Sequence, residues 1–151
     1  MRLIIAAAAL LALSSCASVS NAPDAAEGIA ASSARFEAAF NAGDADGLAA
    51  LYTADAVALP PGAARAEGRE AIRALWQGVI ESGAGDLDLM MDAIADHGDR
   101  ATELGRLSLT APDGIGGRVT AHGKYVVMWE RGEDGVWRLK WDIWNTQGGP
   151  G

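Results

Sequence analysis

The chain has 151 residues, half of them hydrophobic and 21% charged, a balance that predicts one globular domain around a single core. Its net charge of −8 becomes −9 once residues 1–15, which hold Arg2 and no acid, are set aside. Such a surface repels phosphate backbones and anionic lipid headgroups, which argues against nucleic acid as a partner.

The first segment reads as a targeting signal. Met1-Arg2 supplies a positive charge, Leu3 to Leu13 is an unbroken apolar run, and small residues follow. The run is too short to span a bilayer as a helix and predicts a signal peptide over residues 1–15. Leu13-Ser14-Ser15-Cys16 resembles the bacterial lipobox, in which the cysteine is lipidated and becomes the mature N-terminus. Cys16 is the sole cysteine, and a lone cysteine in an exported chain otherwise needs a partner. Ordinary secretion with cleavage after Ala17 is the alternative. Ala17, not an aspartate, follows the cysteine, so the resemblance implies a periplasm-facing anchor at the outer membrane ahead of the inner one. The alternative leaves the protein secreted or soluble in the periplasm. Lipidated Cys16 is then the one membrane contact, and it cannot form a disulfide.

Residues 16–23 read as the lipidated cysteine and a small-residue tether, and residues 148–151 as a flexible tail. Asp24 with Glu27 three positions on predicts a helix start, and Ile29, Ser33, Phe36 and Phe40 mark one stripe at helical spacing. Asp44 can cap a short second helix with Leu48, Leu51 and Tyr52 turned inward. Ala56 to Leu59 reads as a brief strand closed by Pro60-Pro61-Gly62. A third helix is predicted from Arg69 to Ser82, with Ile72, Leu75, Trp76, Val79 and Ile80 on one face. The period then changes from 3.6 to 2, and four strand-like runs follow, the last two forming a hairpin around the turn Gly132 to Gly135. Helices first and consecutive antiparallel strands afterwards predict an α+β domain.

The fragments FNAGDADGLAALYTADAVALPPG, EGREAIRALWQGV and GKYVVMWERGEDGVWRLKWDIWN fall in order within residues 32–146. Together they resemble the SnoaL-like branch of the nuclear transport factor 2-like superfamily. The resemblance implies a cone over residues 24–147: three N-terminal helices packed on a strongly curved, mostly antiparallel sheet that encloses a pocket. It also implies a homodimer through the sheet's outer face. It does not fix a function, because this fold hosts isomerases, cyclases, dehydratases, ligand binders and association domains. The ketosteroid isomerases of the superfamily place an oxyanion-hole tyrosine, a general-base aspartate and a second oxyanion-hole acid where this chain has Phe36, Pro60 and, nearby, Val127. None of these three can supply the group required, so enolisation by that machinery is excluded.

Strand parity then sorts the polar residues. Pairing Trp129 with Trp137, Val127 with Leu139 and Tyr125 with Trp141 keeps the apolar side chains of the last hairpin on one face. That register puts Asp142 on the outer face opposite Lys124, as an ion pair, although a single β-bulge would reverse the parity. Glu103 shares the face of Leu107 and Leu109, and the register places it opposite Gly123 or Tyr125. A carboxylate there must be paired, protonated or in contact with pocket water, and Tyr125 could hydrogen-bond it. Glu103 is therefore the candidate general acid or base with Tyr125 as helper, unless it lies solvated at a fraying sheet edge. Tyr52, Trp76, Met91, Trp137 and Trp141 are the candidate pocket lining.

The remaining motifs give no cofactor or metal site. His122 falls on the outer face and His97 in a polar turn, without metal-ligand spacing. Asp44-Ala45-Asp46-Gly47 lacks the later ligands of a calcium loop and reads as a helix cap. The glycines Gly114, Gly116 and Gly117 sit between strands and form a turn, not a phosphate cradle.

The missing isomerase groups and the apolar pocket inventory favour a lipid-anchored module binding a small, largely apolar ligand. The alternatives are an acid–base enzyme (isomerase, cyclase, dehydratase or hydrolase type) using Glu103, and a dimerisation domain with a filled cone. The interior of the cone discriminates among them.

Overall fold

A computed structural model describes residues 24–147. The expected signal peptide, Cys16, the tether up to residue 23 and the tail 148–151 lie outside the described residues. Helix α1 (Ala25–Asn41) starts where Asp24 accepts a hydrogen bond from the Ala26 amide at 3.3 Å. It buries Ile29, Ser32, Phe36 and Phe40. Helix α2 (Ala45–Ala50) is capped by Asp44, which accepts from the Gly47 amide at 2.8 Å. Strand β1 (Tyr52–Leu59) and the two-residue β2 (Ala66–Glu67) lead into α3 (Gly68–Glu81), which buries Ile72 and Trp76. Strands β3 (Gly85–Asp96), β4 (Arg100–Pro112), β5 (Arg118–Arg131) and β6 (Trp137–Gln147) follow as a meander. Tyr52, expected on the second helix, opens β1 instead, because the helix ends at Ala50 with Leu51 as its cap.

The six strands form one sheet in the order β2-β1-β6-β5-β4-β3, antiparallel throughout except where β1 runs parallel to β6. The helices pack on its concave side, and the core residues Ile29, Leu48, Tyr52, Ile72 and Trp137 are fully buried between the layers. Each such aliphatic side chain contributes roughly 1.5–3 kcal/mol through burial. This is the α+β cone that the sequence predicts.

One sheet edge is β3, and α1 covers it. Asn41 accepts from the Leu87 amide and donates to the Leu87 carbonyl, at 2.8 and 3.0 Å, and Glu37 accepts from the Leu89 amide at 2.6 Å. These side chains stand in for a further strand and block edge-to-edge pairing.

The hairpin register departs from the expected one. Trp129 pairs with Leu139, but Met128 pairs with Trp141, so Lys140 is an extra, unpaired residue in β6. Its ammonium reaches across to Asp55, 2.5 Å away on the neighbouring β1. Beyond the bulge the parity of β6 is reversed. Asp142 and Trp144 turn into the cone, whereas Trp141 and Ile143 turn out and are 53% and 48% exposed. Lys124 accordingly pairs with Asn145, not with Asp142.

Trp137 lies beneath α1, its backbone carbonyl held by the Ser32 hydroxyl at 2.8 Å and its ring pressed against Gly28. A Cβ at Gly28 would sit 2.5 Å from Cδ1 of that ring, whereas a Cβ at Gly78 in α3 meets nothing within 4 Å. Alanine normally stabilises a helix interior by about 1 kcal/mol over glycine. Gly78→Ala is expected to show that gain in urea unfolding. Gly28→Ala is expected to destabilise by roughly 1–3 kcal/mol, because a buried indole must move.

Candidate active site in the cone

Three cross-strand neighbours define the floor of the cone. Glu103 on β4 pairs with Val127 on β5, and Val127 pairs with Asp142 on β6. The two acids therefore flank Val127 on the concave face, with roughly 10 Å between their backbones. They are 1% and 6% exposed.

Glu103 is clamped diagonally from β5. Tyr125 donates its hydroxyl to Oε1 at 2.6 Å, and Trp129 donates its indole N–H to Oε2 at 2.7 Å. Tyr125 and Trp129 lie two residues either side of Val127, so strand alternation brings all three to one face. The reach of Tyr125 depends on Gly105, its direct partner: a Cβ there would collide with the phenol ring. Burial pushes the Glu103 carboxyl above the usual carboxylate range, while the two donors pull it back.

Asp142 is held from the other side. Trp76 on α3 donates its indole N–H to the Tyr52 hydroxyl at 3.1 Å, and Tyr52 donates that hydroxyl to Oδ2 of Asp142 at 2.6 Å. No described residue donates to Oδ1. Burial pushes the Asp142 carboxyl up to about 7, against the Tyr52 hydrogen bond, and the nearby Glu103 charge adds to the rise. Burial and the neighbouring acid likewise hold each tyrosine hydroxyl, Tyr52 beside Asp142 and Tyr125 beside Glu103, well above the usual range.

Both carboxyls border a cavity of about 90 Å³. Its wall is otherwise mainly apolar: Phe36 and Phe40 from α1, Trp76 from α3, and Leu87, Leu107, Tyr125, Val127, Trp129, Leu139 and Trp144 from the sheet. Trp76 stacks on Trp144 with centroids 5.2 Å apart, and Phe36 and Phe40 meet Trp76 edge-on at 5.3 and 5.9 Å. Half-buried Ser33, Val79, Leu109 and Trp144 form the rim.

Of the candidates from sequence, Glu103, Tyr125 and Trp76 meet at this cavity. Tyr52 stands behind Asp142 without lining it, and Met91 packs half-buried against the core beside a register shift in β3. Trp137 and Trp141 do not line it, the first because it lies under α1 and the second because the Lys140 bulge turns it outward. Asp142, expected on the outer face, and Trp144, for which the spacing predicts no role, both line the cavity. The trace they left is that the tryptophans of β6 occur at both parities, 137 and 141 against 144, which no unbroken alternation can bury together. Phe36 and Val127 line the cavity, and Pro60 ends β1 without reaching it. His97, His122 and Lys124 are exposed. Among the described residues, no group of three or more His, Cys, Asp or Glu side chains is placed to hold a metal ion.

Three helices packed on a curved, mostly antiparallel sheet define a class, the cone-shaped domains of nuclear transport factor 2 type. The chain belongs to the SnoaL-like domain family, whose pattern matches residues 33–139. Its fold is similar to that of a ketosteroid isomerase-like protein from Erwinia carotovora atroseptica, with TM-score 0.73, 21% identity, and 82% of this chain and 96% of that one covered. An NTF2-like protein with a cystatin-like fold from Novosphingobium aromaticivorans gives TM-score 0.67 at 22% identity, covering 83% of each chain. A conserved protein from Planctomyces limnophilus gives 0.70 at 21% identity, covering 81% of this chain and 97% of that one. At such identities the likeness concerns the fold. No curated protein sequence matches the chain.

The raised Asp142 carboxyl links stability to pH. In the unfolded chain an aspartate titrates near 4. The favourable linkage is complete below that value and is lost as pH rises through about 7, where the folded chain also ionises. The melting temperature is therefore expected to fall between about pH 4 and 7 on this account. Asp142→Asn should flatten much of that slope, leaving the part due to Glu103, whose shift has the same sign. An unchanged slope in the variant would show that Asp142 does not hold a proton in the folded state.

Proposed function

We propose that the cone takes up one small, largely apolar molecule and performs general acid–base chemistry on it with Asp142 and Glu103. The observation that carries this reading is the second carboxyl. A cavity built only for apolar binding has no use for two buried acids, each expensive to desolvate. Here each acid has its own hydrogen-bond donors and borders the same space. Environments that give two carboxyls different proton affinities are a means of assigning one as acid and one as base. Asp142, whose proton is held up to about 7, gives a proton to a heteroatom of the ligand. Glu103, held by two donors, takes one from a neighbouring position. The proton count is unchanged, as isomerisation, or elimination with the protonated heteroatom leaving as a neutral molecule, requires.

The filled-cone reading is disfavoured by the cavity itself. Native mass spectrometry of the full chain purified from envelopes is expected to show a retained small molecule. Returned to the protein in deuterated water, that molecule should gain deuterium, and should not do so with Glu103→Gln. A retained molecule that exchanges equally with Glu103→Gln would leave a binding module and sink the enzyme.

We further propose attachment to the outer membrane through lipidated Cys16 and a homodimer through the convex sheet face. The lipobox-like Leu13-Ser14-Ser15-Cys16 supports the first. An apolar row of Leu104, Val126 and Ile143, continuous across three strands and flanked by Trp141, supports the second. Cys16→Ser is expected to move the protein from the membrane to the soluble fraction. There it should sediment as a dimer that the added change Val126→Glu splits. Membrane retention of Cys16→Ser counts against the anchor, and a monomer before the second change counts against the dimer.

A further inference from the structure

The polar groups of the cavity are unequally supplied. Tyr125, Trp129, Tyr52 and Trp76 are the hydrogen-bond donors around it, and each already donates: two to Glu103, one to Asp142 and one to Tyr52. Tyrosine and tryptophan have one N–H or O–H each, so nothing remains on them for a ligand. Ser33, at the rim, is the other hydroxyl of the lining. Acceptors are in surplus. A carboxylate offers about four lone-pair sites, and the two acids together receive three hydrogen bonds from the described residues. Among the described residues no Lys, Arg or His lines the cavity, and the described ion pairs involve neither Glu103 nor Asp142. The walls add the rings of Phe36, Phe40, Trp76, Tyr125, Trp129 and Trp144, whose faces attract cations.

From this imbalance we infer that the ligand is a small apolar amine, whose nitrogen meets Oδ1 of Asp142 while its hydrocarbon part lies among the aromatic rings. This rests on the proposed acid–base reading and specifies the heteroatom that Asp142 protonates. An amine entering as the free base takes the proton from the Asp142 carboxyl, and one entering as ammonium meets the carboxylate. Both routes end in the same ammonium–carboxylate pair. A ketone or an alcohol oxygen could accept only from the Asp142 carboxyl while that holds its proton, and a carboxylate ligand would add a third acid to a cavity with no described counter-charge. The cavity volume, about 90 Å³, confines the buried part to a single small ring or a short branched chain.

The test compares three probes of nearly equal shape, cyclopentylamine, cyclopentanol and cyclopentanone, titrated into the full chain. Trp76, Trp129 and Trp144 line the cavity, so tryptophan fluorescence reports occupancy. The amine is expected to bind roughly tenfold or more tightly than either neutral probe, the difference made by a charge-assisted hydrogen bond. Asp142→Asn should bring the amine down to the level of the alcohol. That variant changes the surface little, so general attraction to the acidic protein would leave amine binding intact and overturn the proposal. Should the variant fail to fold, the comparison on the unaltered chain still decides. Equal or tighter binding of the ketone or alcohol overturns the amine assignment and leaves the cavity reading standing. Binding of none of the three overturns both.

Discussion

One unpaired residue decides which groups the last strand shows to the interior. Lys140 stands between the pairs Trp129 with Leu139 and Met128 with Trp141, and is tied sideways to Asp55 on β1. Side chains alternate strictly along a strand, so a single extra residue moves everything beyond it to the opposite face. With the bulge, Asp142 lies at the floor of the cone and Trp144 stacks on Trp76. Without it, Asp142 would sit on the convex face, Trp141 would fill the space, and the second acid would not exist. The Tyr52 hydrogen bond, the position of Trp144 and the apolar outer row that includes Ile143 all depend on this shift.

The two acids are built in contrasting ways. Glu103 is held within the meander by residues of the adjacent strand, which strand alternation and the missing side chain of Gly105 make possible. Asp142 is held by a chain that crosses layers, from α3 through Trp76 to Tyr52 at the start of β1. A shift of α3 therefore acts on Asp142 and not directly on Glu103. Val127 separates the two with an apolar surface, and across it the Glu103 charge adds to the rise of the Asp142 carboxyl. Val127, near which the resemblance to ketosteroid isomerases would put an acid, has one acid on each side here.

Much of the fold was legible in the sequence. The cap at Asp24, the stripe of Ile29, Phe36 and Phe40, the amphipathic run around Trp76 and the change to a period of two each follow from local spacing. Local spacing also placed Glu103 and Tyr125 on the core face, because β4 and β5 pair without interruption through that region. The exact partner was missed by one step: Glu103 lies opposite Val127, and Tyr125 reaches it diagonally over Gly105. Trp137 and Trp141 had the right chemistry for a pocket wall, but parity says which face a residue takes and not what covers that face.

The sequence by itself determined the class of fold, the order of its elements and one buried acid, since those depend on periodicity, capping and turn residues within short stretches. The tertiary structure alone decided the second acid, the proton-bearing environment around it and the composition of the cavity. The reason is that the bulge at Lys140 is a property of three strands at once: it is fixed by an ion pair to β1 and by the register of β5, contacts between residues far apart in the chain.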